Sequence, residues 1–231
     1  MSLLSIVQNA CNEVGFPSPS AVVGNSDAAQ YLALVNREGE SLSRHPWQNL
    51  IKENTFTLVT SDQDYALPTD YRYLIPSTQW NRSSKRRVIW ITSEEWQFHK
   101  GWTSVNGLNL RARIRNNEFE FEQTIAAGDN GKTIAFEYVS KYWTETSGGT
   151  EQQKFAADTD VGRVDEELLT LGLIWRFKKA KGLPYADDFG EYSKQLRLLK
   201  SRDGGARKIN FGRPPDAILG VNTQEGDYPA S

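Results

Sequence analysis

The chain reads as an α+β protein: helices near both ends form a bundle, a β-rich lobe is inserted between them, and an extended C-terminal arm follows. Three observations predict this. Apolar residues recur at a period near 3.6 over residues 3–42 and again over 164–199, and the period drops to 2 over residues 56–142. The stretch 204–231 interleaves glycine and proline with few apolar side chains. The expected segments are 1–52 for the first bundle helices, 53–145 for the lobe, 146–203 for the returning helices and 204–231 for the arm.

In the first helix Leu3, Leu4, Val7, Ala10, Cys11 and Val14 share a stripe, and Gly15 with Pro17 ends it. Cys11 reads as a small core residue, because no basic group that would activate its thiol lies nearby in sequence. A second helix is expected to open at an Asn25-Ser26-Asp27 cap and to present Ala28, Tyr31, Leu32, Val35 and Leu42. His45-Pro46 closes it, with Trp47 expected to pack over its end.

Within the lobe the clearest element is a hairpin about Asn116-Asn117, residues that tolerate positive φ. Counting outward pairs Arg115 with Glu118, Arg113 with Glu120 and Arg111 with Glu122 on one face, and Ile114 with Phe119 and Ala112 with Phe121 on the other. Opposite charges directly across strands contribute about 0.2–1 kcal/mol each, enough to hold register. Further strands are expected at 86–91 and 133–139, the latter with Ile134, Phe136 and Tyr138 on one side, and Ser93 opens a short helix.

Helices return near Val164. Val164, Leu168, Leu171 and Trp175, widened by Leu169, Leu173, Ile174 and Phe177, describe a central, largely buried helix. Asp165, Glu166 and Glu167 at its start and Arg176, Lys178, Lys179 and Lys181 at its end complement the helix dipole. The final helix carries a narrower stripe of Tyr185, Phe189, Tyr192, Leu196 and Leu199, which suits an edge helix packed on one neighbour or across a subunit seam. In the arm, Ile209, Phe211, Ile218, Leu219 and Val221, with Arg213 and Tyr228, are too sparse to offset the entropy of ordering, so the segment reads as a docking arm that a partner orders.

Composition excludes several function classes. With 231 residues, 38% hydrophobic and 24% charged, the chain can bury a substantial core, and 27 basic against 29 acidic side chains create no general attraction for nucleic acid or an anionic membrane. A single cysteine rules out an intramolecular disulfide framework and fits a reducing compartment. No apolar run approaches the roughly 20 residues of a membrane-spanning helix, and the first residues read as a bundle helix rather than a signal peptide. His45 and His99 have no metal-ligand spacing around them, and nucleophile-elbow, P-loop and dinucleotide fingerprints are missing. Glu118, Glu120 and Glu122 are poor general acids beside arginine partners. The expectation is therefore a protein that is not an enzyme, with no catalytic residue, cofactor or metal. Lys85, Arg86 and Arg87, flanked by Trp80 and Trp90, are a possible anion contact, because cations beside aromatics can hold phosphates. Seven tryptophans, including Trp96, Trp102 and Trp143, open an alternative reading as a glycan-binding or cell-wall-degrading protein, although at least half are expected in the core.

One motif goes further. Tyr65, Leu67, Pro68, Asp70 and Tyr71 form a Tyr-x-Leu-Pro-x-Asp-Tyr-like turn after Phe56-Thr57-Leu58, followed by Leu74, Ile75 and Trp80 and preceded by His45-Pro46-Trp47. This order resembles the head-to-tail adaptor (head completion or connector) proteins of tailed bacteriophages, in particular the tail tubular protein A and tail accessory adaptor group. The resemblance implies a virion structural protein, assembled in the host cytoplasm, that forms a ring, commonly of twelve copies, joining the capsid portal to the tail. It further implies an arm laid on the portal protein, a tail or nozzle protein on the other side, and DNA passing through the lumen without sequence-specific binding. No membrane contact is implied.

Overall fold

The computed structural model describes residues 2–101 and 109–204. Five helices appear in these residues: α1 (Leu3–Val14), α2 (Ala29–Leu42), α3 (Ser93–Gly101), α4 (Glu166–Ala180) and α5 (Ala186–Arg202). The lobe strands are β1 (Ile51–Thr57), β2 (Asp64–Ala66), β3 (Tyr71–Leu74), β4 (Trp80–Asn81), β5 (Arg86–Arg87), β6 (Ile89–Trp90), β7 (Arg111–Arg115), β8 (Glu118–Phe121) and β9 (Thr133–Ser140). Three short strands follow, β10 (Thr144–Glu145), β11 (Glu151–Gln152) and β12 (Val161–Gly162). Helices at both ends and a β-rich middle make this an α+β fold. The described residues of Met1–Ile51 and Ser140–Lys208 form one compact unit and those of Lys52–Val139 another. The arm residues Ile209, Phe211, Arg213, Ile218, Leu219, Val221 and Tyr228 lie outside the described residues, as does Trp102.

In the helical unit α4 is the hub, packing on α1, α2 and α5. Its leading carboxylate, Asp165, accepts the Leu168 N–H at 2.9 Å and so caps the helix. Buried Leu168, Leu169, Leu173, Ile174 and Phe177 then face the neighbouring helices. α1 buries Leu3, Ile6, Val7, Ala10 and Cys11 and stops at Gly15, whose φ of 78° is the left-handed conformation a helix end favours. The N–H groups of Leu3 and Leu4 donate to the Asp160 and Asp158 carbonyls at 2.8 and 3.2 Å, which satisfies donors a helix start leaves unpaired.

α2 departs from expectation at its start. It begins at Ala29 behind Ala28 with no side-chain cap, because the Asn25 carboxamide instead accepts the Asp27 N–H at 3.0 Å and closes a local turn ahead of the helix. Its far end behaves as expected: the buried Trp47 indole donates to the Leu42 carbonyl at 2.8 Å. Between the lobe and α4, over residues 144–162, β11, β10 and β12 form a small antiparallel sheet. Strands of two residues are too short to carry a period.

The lobe holds two sheets, ordered β1-β9-β4-β5, with β3 also on β9, and β2-β8-β7-β6. The hairpin has the register counted from sequence, with Ala112 opposite Phe121, Arg113 opposite Glu120, Ile114 opposite Phe119 and Arg115 opposite Glu118. Asn116 and Asn117 turn it at φ 51° and 63°. Residues 86–91, expected as one strand, are two: β5 pairs with β4 and β6 runs parallel to β7, with fully buried Val88 at the switch between sheets. Phe119, Phe121, Ile134, Phe136 and Tyr138 centre the lobe core. The ionic face of the hairpin is partly covered, since Arg113 is 7% exposed and its guanidinium lies 3.6 Å over the Trp96 ring of α3.

Candidate functional site

The first candidate surface begins with a buried charge. Glu38, on α2, is fully buried, and its carboxylate is ion-paired with the Arg176 guanidinium of α4 and accepts the Tyr192 hydroxyl of α5. Three helices therefore meet at one carboxylate. Gly172 makes room for it: a Cβ there would sit 2.4 Å from Glu38 Cγ. Burial, and then the Glu38 hydrogen bond, push the Tyr192 phenol well above the usual tyrosine range. Isolated, such a buried acid would be costly; paired with a guanidinium and a hydroxyl it locks α5 in one position on α4.

On this base stands an aromatic cluster. Trp175 of α4 packs against Phe189 at 5.2 Å, Tyr192 at 6.0 Å and Tyr185 at 6.5 Å between ring centroids. Arg176 lies 4.5 Å over the Trp175 ring, and Lys179 lies within 6 Å of both Trp175 and Tyr185. Leu183, Tyr185 and Phe189 are 39%, 36% and 44% exposed, whereas Trp175 is 9% exposed. The structure thus separates the five contact residues expected on the last helix. Tyr192 turns inward to Glu38, Leu196 and Leu199 are half-buried, and Tyr185 and Phe189 reach solvent. Leu183 and Trp175 were missed as members of this face because one precedes the helix and the other belongs to α4.

Lys85, Arg86 and Arg87 sit on the β4–β5 hairpin. Lys85 takes φ 54° in its turn, Ser84 N–H donates to Asn81 Oδ1 at 2.9 Å, and Arg87 pairs across from Trp80. Arg87 also lines a hollow of about 580 Å³ with Tyr71, Gln79, Ile89 and Trp90. Of the tryptophans that opened the glycan reading, Trp96 and Trp143 are 3% and 0% exposed, with their faces spent on packing, whereas Trp90, beside this hollow, is 39% exposed. With Trp47 and Trp175, four tryptophans are core, as composition led one to expect.

The Tyr-x-Leu-Pro-x-Asp-Tyr turn proves structural. The Asp70 carboxylate, 7% exposed, accepts from the Lys52 ammonium and the Tyr138 hydroxyl, each at 2.8 Å, and Leu67 is buried. It therefore clamps β1, the turn and β9 together rather than presenting a ligand site. Cys11 is buried, with its thiol pushed up by burial, as expected of a core residue. Among the described residues no cluster of three metal-ligating side chains occurs, and no helix is long and apolar enough to cross a membrane.

What the described residues offer is thus an exposed apolar and aromatic face at the start of α5, with Lys179 over its rings. No curated protein matches the chain. The family model described as SU10 adaptor protein matches residues 1–214. The chain accordingly belongs to the SU10 adaptor protein family, a family of phage structural adaptors, and is a virion component.

Proposed function

We propose that this chain forms a ring, of twelve copies, that joins the capsid portal to the tail. The observation that carries the reading is the exposed aromatic face on α5 in a member of an adaptor family. A closed ring is built from heterologous contacts, each subunit offering one surface to the next, and Tyr185, Phe189, Leu196 and Leu199 supply such a surface on an edge helix. The arm, through Ile209, Phe211, Arg213, Ile218, Leu219, Val221 and Tyr228, docks on the portal protein, and a tail or nozzle protein binds on the opposite side. DNA passes through the lumen without sequence-specific contacts, Lys85, Arg86 and Arg87 serving as an anion contact. Assembly takes place in the host cytoplasm, and the chain works without catalytic residues or cofactors.

Native mass spectrometry tests this with the portal protein of the same genome, full-length adaptor, and adaptor lacking residues 205–231. The expected result is a stoichiometric ring on the portal for the full-length chain only. Undiminished portal binding by the shortened chain overturns the arm assignment, and no complex with the full-length chain overturns the adaptor ring.

A further inference from the structure

A heterologous ring contact joins two different surfaces, so the α5 face needs a counterpart elsewhere on the chain. The short helix α3 presents one. Phe98 is 60% exposed, the most of any large apolar residue among the described residues. At about 100° per residue, Glu94 and Phe98 each lie about 160° around α3 from the buried Trp96, so the two share its outward crest. Exposed Glu95 flanks this crest, its carboxylate accepting the Thr92 N–H at 2.7 Å, and Lys100 turns back over the Trp96 ring at 5.2 Å. The crest is therefore apolar and acidic. The α5 face is apolar with the opposite charge: beside exposed Leu183, Tyr185 and Phe189, exposed Lys179 lies over the Trp175 and Tyr185 rings at 5.8 and 5.7 Å. Of the acids there, Asp188 is held by Lys178 at 2.7 Å, and exposed Asp187, two residues before Phe189, lies about 160° around α5 from it. Other exposed apolar residues match this face less well. Ile89 and Trp90 follow Arg86 and Arg87, Leu198 lies one turn from Lys194 and one turn from Arg202, Phe16 packs on Phe177 under Lys181, and Val59 offers a smaller side chain.

We propose that the Glu94 and Phe98 crest of α3 on a second copy of the chain docks on the α5 face, Phe98 entering among Leu183, Tyr185 and Phe189 while Glu94 meets Lys179. The proposal rests on the ring reading and adds which surface of the neighbour covers α5. An aromatic anchor set in an apolar surround supplies affinity, and a charged pair beside it supplies orientation. Each chain carries both surfaces once, so the contact repeats head to tail from copy to copy.

The test uses full-length chains assembled on the portal protein of the same genome and followed by native mass spectrometry. One chain carries Gln97→Cys and the other Ala186→Cys, exposed positions beside the two surfaces that leave the contact residues in place; the native Cys11 is buried. Treated with a short bismaleimide, the mixture should give a crosslinked dimer of one chain with the other, and neither variant alone should give a dimer. E94K and K179E should each raise at least tenfold the chain concentration that half-saturates the portal, with circular dichroism unchanged. The E94K/K179E chain, in which every junction is reversed on both sides, should recover most of that loss. A ring that forms without the mixed crosslink, or a double variant no better than the single ones, overturns the proposal and leaves the ring standing. Absence of any ring from the parent chain overturns the ring reading, and the proposal with it.

Discussion

Gly39→Ala is the most discriminating single change in the helical unit, because two opposing effects of known size predict opposite signs. Alanine is favoured over glycine in a helix interior by about 1 kcal/mol, so on α2 propensity alone the variant would be more stable than the parent. The tertiary environment opposes this. A Cβ at Gly39 would lie 2.0, 2.1 and 2.4 Å from three ring carbons of Trp143, against an ordinary carbon–carbon contact of about 3.5–4.0 Å. Trp143 has little room to retreat, being 0% exposed and packed edge-on to Phe155 at 5.1 Å. Overpacking a well-filled core costs about 1–3 kcal/mol, and an overlap of more than 1 Å against a rigid ring belongs at the upper end or above. The net expectation is a loss of about 2 kcal/mol. Urea unfolding followed by far-UV circular dichroism reads it as a lower midpoint at unchanged m-value. The same substitution placed in a Trp143→Leu background, where the ring carbons are gone, should be neutral or stabilising by up to about 1 kcal/mol. A Gly39→Ala protein as stable as the parent would refute the close approach of α2 to Trp143.

Glu38→Ala should cost about 3–5 kcal/mol, because it strands the Arg176 guanidinium and the Tyr192 hydroxyl together in the helical unit; the unfolding midpoint measures it. Tyr192→Phe tests the same cluster through pH. The folded phenol titrates above its unfolded value, so its contribution is complete below about pH 10 and is lost as pH rises, and the variant should be less sensitive to alkali. His45 has the opposite sign. Burial foremost, with the Lys200 charge, lowers its folded pKa against the opposing pull of Asp203. Its contribution is therefore complete above about pH 6.5 and lost as pH falls through the folded value, and His45→Gln should flatten that part of the stability profile.

Local rules carried much of the architecture. The hairpin register at Asn116-Asn117, the Gly15 stop, the Asp165 cap and the central position of α4 each depend on residues within a few positions of one another, so period, turn chemistry and charge placement are enough to read them. Where local signals were weak or rivalled, the reading missed. Asn25 spent its side chain on a turn three residues early, and Val88 divided one apparent strand between two sheets.

The candidate surface divides the same way. That the last helix carries an unusual aromatic stripe is written in the spacing of Tyr185, Phe189 and Tyr192. Which of those rings stays outside was decided by Glu38, more than 150 residues away, whose carboxylate draws Tyr192 inward and holds Arg176 over the Trp175 ring. Sequence alone thus determined the α+β class and the edge character of α5, because both follow from periodicity along one segment. Only the tertiary structure decided that Glu38 is a buried keystone and that Gly39 and Gly172 are contact points. A charge or a glycine takes its meaning from what another segment brings against it, and no spacing along the chain encodes that distance.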